Sequence, residues 1–473
     1  DRLLLNVPNS TYRKAPMTGM SRRTLLLGGL GLGAAALTGC TSAPAAGPVP
    51  SASGPMPTLP PATPRPGQRI VEQVLTAKPV TLDLGGPTVP TWAYGDTAPG
   101  PLVRATAGDF LRIRLDNQLP ADTTIHWHGI RLHNKADGVP SMTQDPVPAG
   151  GSFTYEFTAP DPGTYFFHPH VGVQLDRGLY APLIVDDPNE AGAYDAEWVV
   201  VLDDWVDGTG RTPDDVLAKL IADGGPAPSG GMGGMGGMGG MDHGGHGGGN
   251  APQPWGDAGD VTYPYFLING RVPTAPATFE AKPGQRVRIR LINAASDTIF
   301  TVALGGHRLT VTHGDGFPVE PREVDALYLG MGERYDALVT LDDGVFPLVA
   351  RPFGKTEGGQ GLALGRTGSG RAPGADVSPA ELAGRVLLAT DLRPHESVRL
   401  PSRSPGATAH MSLEGSMSPY RWGINGAPFG QNQPLTVREG QRLRLNVMNM
   451  TMMTHPLHLH GHTFALPTGL RKD

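Results

Sequence analysis

The segment "GDFLRIRLDN" runs from Gly108 to Asn117. Leu111, Ile113 and Leu115 alternate with Arg112 and Arg114, the period of a strand with one face buried. The pattern returns as "GQRVRIRLIN" (Gly284 to Asn293) and "GQRLRLNVMN" (Gly440 to Asn449), each with Gly first and Asn nine residues later. Upstream stand "LINGRVP" (Leu267 to Pro273), "GINGAPF" (Gly423 to Phe429) and, more loosely, "AYGDTAP" (Ala93 to Pro99). Copies 176 and 156 residues apart predict three related β-sandwich domains. Composition agrees. The 67 glycines and 48 prolines, with only 17% charged residues, favour a loop-rich all-β chain. At 473 residues it exceeds one ordinary domain, and a net charge of −6 gives no reason to invoke nucleic acid.

The repeat also aligns histidines. His126 and His128 stand nine and eleven residues after Asn117, and His458 and His460 stand at the same offsets after Asn449. After Asn293 those offsets hold Val302 and Leu304, and all three copies continue with glycine (Gly129, Gly305, Gly461). This predicts a site shared by the first and third domains, with the middle one as a spacer. A further pair, His168 and His170, lies in "YFFHPH". Residues i and i+2 on a strand face the same way, so each pair should aim two imidazoles into one cavity. A single buried histidine is usually structural, but chance placement of 15 histidines does not give repeated, in-register pairs. Imidazoles without thiolate or carboxylate clusters suit copper or zinc. Six paired histidines plus His455 exceed the four ligands of a structural zinc and point to several ions.

"HWHG", "YFFHPH" and "HPLHLHGH" resemble the first three copper-binding motifs of the multicopper oxidases, which are built from cupredoxin domains. "DPGTYFFHPHVGVQLDRGLYAPLIV" and "TMMTHPLHLHGHTF" are most similar to the actinobacterial, lipoprotein-type members, and the resemblance runs from about Gly85 to the last residue. It implies three cupredoxin-like Greek-key β-sandwiches, the third incomplete. It implies that His126 and His458 bind a type 2 copper, and that His128, His168, His170 and His460 give four of the six ligands of a type 3 pair. His455 would be one ligand of a type 1 blue site, and Asp137 in "HNKADGVP" would help deliver protons. The plain alternative for Asp137 is an Asp-Gly turn.

The family's fourth motif, His-Cys-His, is not in this sequence. By the repeat it should fall near residues 500 to 505, so the expectation is a chain cut within domain 3, itself not a competent oxidase. The other explanation is natural loss of the blue copper. The one cysteine, Cys40, closes "SRRTLLLGGLGLGAAALTGC", where Arg22-Arg23 resembles a twin-arginine signal and "LTGC" a lipobox. A buried N-terminal helix with a chance cysteine is the alternative. The expected organisation is an N-terminal extension and signal over 1–40 and a Pro/Ala/Ser linker over 41–66. Domain 1 covers 67–190, domain 2 covers 191–392 with a Gly/Met-rich insert at 224–258, and domain 3 covers 393–473. "DRLLLNVPNSTYRKAP", ahead of Met17 and Met20, is not expected in the working protein.

Within the insert Met232, Met235, Met238 and Met241 recur every three residues, followed by His243 and His246. Thioethers select Cu(I), so capture of cuprous ion is the functional reading and an incidental linker the alternative. Met450, Met452 and Met453 read as wall and packing residues. The expected function is oxidation of Cu(I), Fe(II) or phenols coupled to four-electron reduction of O2 to water, in copper tolerance. The expected protein is a monomer with four coppers when full length, exported by the twin-arginine route and held by a lipid on the outer face of the cytoplasmic membrane. The competing readings are copper nitrite reductase and a non-catalytic envelope copper-binding protein on the same fold.

Overall fold

A computed structural model describes residues 63–473 apart from 191–192, 224–258, 418 and 439. The expected signal with Cys40, the expected linker up to residue 62, and the insert methionines with His243 and His246 lie outside the described residues. The described chain is strand-rich. Its one α-helix, α1 (Pro213–Asp223), is too short to cross a membrane.

The first sandwich uses β1 (Ile70–Asp83), β2 (Thr88–Tyr94), β3 (Val103–Thr106), β4 (Phe110–Asn117), β5 (His126–His128), β6 (Ser152–Thr158), β7 (Gly163–His168) and β8 (Ala181–Asp186). One sheet has the order β2-β1-β4-β6 and the other β3-β8-β7-β5. The first repeat is β4. It buries Leu111, Ile113 and Leu115, while Arg112 faces outward between Glu72 and Glu156. Trp127 fills the core against Tyr155, Phe157 and Phe167. Alternation along β5 therefore turns His126 and His128 the other way, out of that core.

The second sandwich uses β9 (Ala196–Trp205), β10 (Tyr265–Ile268), β11 (Ala277–Glu280), β12 (Arg286–Asn293), β13 (Phe300–Leu304), β14 (Leu309–Gly314), β15 (Phe317–Val324), β16 (Ala326–Leu329), β17 (Arg334–Thr340), β18 (Val345–Pro352), β19 (Gly361–Arg366) and β20 (Val386–Leu387). Its sheets run β10-β9-β12-β17-β14-β15 and β11-β19-β18-β13-β16-β20. The second repeat is β12. Its Arg288 and Arg290 are buried rather than solvated, because this face packs on domain 1. Arg290 donates to Thr164 Oγ1 at 2.9 Å, and Thr164 donates to Asp336 at 2.6 Å, which also pairs with Arg288.

The third unit has β21 (Ala407–Met417), β22 (Tyr420–Ile424), β23 (Leu443–Asn449), β24 (Phe464–Ala465) and β25 (Arg471–Lys472). β4 and β12 each lie between a parallel strand (β1, β9) and an antiparallel one (β6, β17). β23 has the parallel neighbour β21 and, among the described residues, no strand on its other edge.

The repeated asparagine does one job three times. Asn117 donates to the Ala121 and Val147 carbonyls and accepts from Leu119 N. Asn293 donates to the Thr298 and Leu329 carbonyls and accepts from Ala295 N. Asn449 donates to the Met453 carbonyl and accepts from Thr451 N. Each amide pins the turn that leads from the repeat strand into the segment nine to eleven residues on, where domains 1 and 3 carry histidines.

Candidate metal centre

Antiparallel pairing of β5 with β7 sets His126 opposite His168. His170 follows two residues on, its backbone N–H held by Thr124 Oγ1 at 3.2 Å. Domain 3 supplies His458 and His460 from an extended segment that is not a strand, and His170 lies just past the end of β7. The expectation of paired histidines on strands thus holds for His126 and His128 only. Of the other pairs, His168 ends β7, while His170, His458 and His460 reach the same cavity from irregular backbone.

The six rings close on one point between domains 1 and 3. His126 Nε2 lies 3.1 Å from His458 Nε2, and His128 Nδ1 lies 3.3 Å from His168 Nε2. The His128 and His458 rings stack with centroids 3.7 Å apart, and those of His126 and His460 are 3.9 Å apart. His170 completes the ring of contacts at 4.8 Å from His460.

The opposite nitrogens are tied down. His126 Nδ1 donates to the Asp137 carbonyl at 2.8 Å, His168 Nδ1 to the Pro169 carbonyl at 2.9 Å, and His460 Nδ1 to Asp137 Oδ2 at 3.1 Å. Those bonds leave each Nε2 as a lone pair facing inward. Burial holds the imidazoles of His128, His168 and His170 neutral, well below the ordinary range, and their neighbouring histidines push the same way. Burial likewise lowers His458, and brings His460 down to about 3. Burial alone would raise the Asp137 carboxyl, but hydrogen bonds from His126 and His460 hold it well below the usual carboxylate range.

Asp137 is 3% exposed, with its carboxylate between a domain 1 and a domain 3 histidine, so it is more than a turn residue. The turn remains necessary. Gly138 has φ +78°, and a Cβ there would run into the Ile125 carbonyl. Gly129, φ +90°, faces Asp473 and Arg334 where a Cβ would collide with both. His455 stands apart and belongs to neither group of converging donors among the described residues. It accepts from or donates to Thr451 Oγ1 at 2.7 Å, beside Trp422. Met453 lines the cavity with it, whereas Met450 and Met452 are 62% and 84% exposed and pack little.

The middle domain is not a spacer. Gly332 packs against His128, and a Cβ there would lie 2.9 Å from its ring. Arg334, with no exposed side-chain surface, pairs with Asp473 at 2.6 Å, whose other oxygen is 3.8 Å from His458 Nδ1. Lys472 ties Asp315 and Glu333 to the same knot at 2.8 and 2.5 Å. None of these residues carries a spacing signal in the sequence.

Neutral imidazole lone pairs about 3 Å apart repel one another unless a cation sits between them. Two ligand nitrogens each about 2 Å from one ion have that separation. A soft-to-borderline divalent ion fits this all-nitrogen donor set, and more than one ion fits six rings. An all-β protein that gathers six imidazoles from two domains in this way belongs to the multinuclear metal proteins.

Comparison with known proteins specifies which. Models of the multicopper oxidase family match residues 76–190, 242–368 and 402–472. The chain is similar to multicopper oxidase MmcO of Mycobacterium tuberculosis, with 47% identity over 96% of this chain and 88% of that one. It is also similar to copper resistance protein A of Escherichia coli, with 26% identity over 79% and 83% of the two chains. Among solved structures, a multi-copper oxidase from Pseudomonas thermotolerans aligns with a TM-score of 0.57 and 28% identity over 81% and 82%. The chain belongs to the multicopper oxidase family, a family of oxidoreductases with copper as cofactor.

Proposed function

We propose for this protein the oxidation of Cu(I), Fe(II) or phenols, one electron at a time, with four electrons passed to O2 to give two waters, as part of copper tolerance. The sequence carries the oxygen-reducing histidines but no His-Cys-His thiolate, and turnover is proposed only for a form that has one. The observation that carries the reading is that donors of His126, His128, His458 and His460 converge in two groups sharing His126, with the His168 and His170 rings packed beside them. Relatives named copper resistance protein A and laccase support the copper role and the class of reductant. His126 and His458 would hold one copper, and His128, His168, His170 and His460 would hold a pair. Bound copper supplies the reversible one-electron changes and the open coordination positions that O2 reduction needs. Asp137 fixes the tautomers of His126 and His460 and, as the charged group nearest the cluster, serves proton delivery. His455 is assigned to electron entry. A blue site also needs a thiolate, and Cys40, the one cysteine of the sequence, is assigned to the lipid anchor of an exported protein. The insert methionines are assigned to Cu(I) capture.

The test is independent of the blue site. The copper-loaded protein, reduced chemically under argon, is mixed with O2. Reoxidation at more than one copper per chain, without turnover of nitrite, supports the reading. Copper retained but inert to oxygen would favour a non-catalytic copper-binding protein instead.

A further inference from the structure

The cavity that reaches the histidines has a second, acidic wall. Its volume is about 330 Å³, and His128, His168, His170, His458 and His460 are among its lining residues. Asp176, Asp260 and Asp297 line it too, as do Tyr263, Ser296 and the apolar side chains of Val173 and Leu220. A space of this size holds on the order of ten waters.

Behind that wall stands a chain of carboxyl groups with few cations. Asp176 Oδ2 accepts from Tyr263 at 3.5 Å, while Oδ1 is sealed from solvent without a hydrogen-bond partner. Asp203, 2% exposed, faces the hydroxyl of Tyr180, 1% exposed. Asp204 is saturated, accepting from Ser296 N, Asp297 N and Thr298 Oγ1 at 2.9, 3.0 and 2.6 Å. Asp297 has a cation, Lys355 at 2.9 Å, and is partly exposed, as is Asp176. On the far side Arg177 is committed to Asp207 and Asp214. Buried carboxyl groups that face one another with neutral hydroxyls and no cation are costly as anions and ordinary as protonated acids. Burial, reinforced by Asp204, pushes the Asp176 carboxyl well above its ordinary range, burial does the same to Asp203, and Asp204 is raised to about 6.

Reduction of one O2 consumes four electrons and four protons and yields two waters, so an enclosed oxygen site needs a proton supply. We propose that Asp176, backed by Asp203 and Asp204, is a proton-holding group that recharges from solvent past Asp297 and releases protons through the cavity towards the histidine cluster. The inference rests on the oxidase reading above. Each transfer moves one proton from the Asp176 carboxyl to cavity water, and a proton from outside restores it. The electrons come separately from the reductant.

Two measurements test this on the whole chain. Infrared spectra of the metal-free protein at neutral pH should show a protonated-carboxyl C=O band whose intensity Asp176→Asn lowers. Reoxidation of the reduced, copper-loaded protein by O2 should then slow on the order of 100-fold in Asp176→Asn, with a larger solvent deuterium effect, a pH profile displaced to acid and unchanged copper content. Asp176→Glu should restore most of the rate. An Asp176→Asn protein with the parent's band, or with the parent's rate and pH profile, would overturn the proposal while leaving the oxidase reading intact. A parent that holds copper yet does not react with oxygen would overturn both.

Discussion

His460 Nδ1 and Asp137 Oδ2 are 3.1 Å apart across 323 residues of sequence, a side-chain bond from a first-domain loop to the third-domain histidine segment. The same aspartate takes the His126 Nδ1 proton on its own carbonyl. One residue therefore sets the tautomer of a histidine from each half of the cluster. Asp137→Ala should lower copper affinity about 10- to 100-fold, since loss of a ligand's outer hydrogen-bond partner has that cost. Competitive copper titration measures it. Affinity unchanged from the parent would remove Asp137 from this role.

The metal-free protein should be acid-sensitive in a defined direction. His460 has a folded-state value of about 3 against about 6.5 unfolded. The unfolded chain then binds a proton between these values that the folded chain refuses. Its stabilising effect is complete above pH ~6.5 and is lost progressively as pH falls towards ~3. His128, His168, His170 and His458 are shifted in the same direction. Denaturant titrations at pH 7.5 and pH 5 should show the metal-free protein weaker at pH 5, on the order of a few kcal/mol. Equal stability at the two values would contradict the neutral, desolvated histidines described above.

Gly138 and Gly67 both adopt positive φ, +78° and +77°, but only Gly138 abuts other backbone. Gly138→Ala should therefore cost about 1–3 kcal/mol more than Gly67→Ala. Thermal or denaturant unfolding of the two variants separates the clash from the shared cost of the left-handed conformation. Equal losses would place the Ile125 carbonyl out of reach of residue 138.

Arg334 is the pin between the middle domain and the end of the described chain. Arg334→Met leaves Asp473 buried without its cation and Asp315 with Lys472 alone. The expected destabilisation is about 3–5 kcal/mol. The double variant Arg334→Met, Asp473→Leu should recover part of it, because both charges are then gone. A single variant as stable as the parent would show that the pair is solvated in solution.

The strands and the cluster were legible in the sequence for different reasons. Period-two alternation marked β4, β12 and β23, and the constant offset from Asn117 and Asn449 marked His126, His128, His458 and His460. Local pattern could not show the burial of Arg288 and Arg290, since alternation says only that they leave their own core, and the surface they meet belongs to domain 1. Gly332, Arg334 and Asp473 were equally silent, because a residue that touches a site across a domain boundary needs no spacing relation to the ligands. The carboxyls Asp176, Asp203 and Asp204 read as ordinary strand-end and loop acids until the fold sets Asp176 on the cavity wall and buries Asp203 and Asp204 behind it.

The central claim is that domains 1 and 3 hold one multinuclear copper cluster between them. Copper content after loading and exhaustive dialysis, measured beside the X-ray absorption spectrum, tests it most directly in the parent, His126→Ala and His458→Ala proteins. The account predicts more than one tightly held copper per parent chain, with imidazole scattering, and loss of copper in both variants although their substitutions lie in different domains. A parent that keeps one copper or none, or a His458→Ala protein that keeps the full complement, would contradict it.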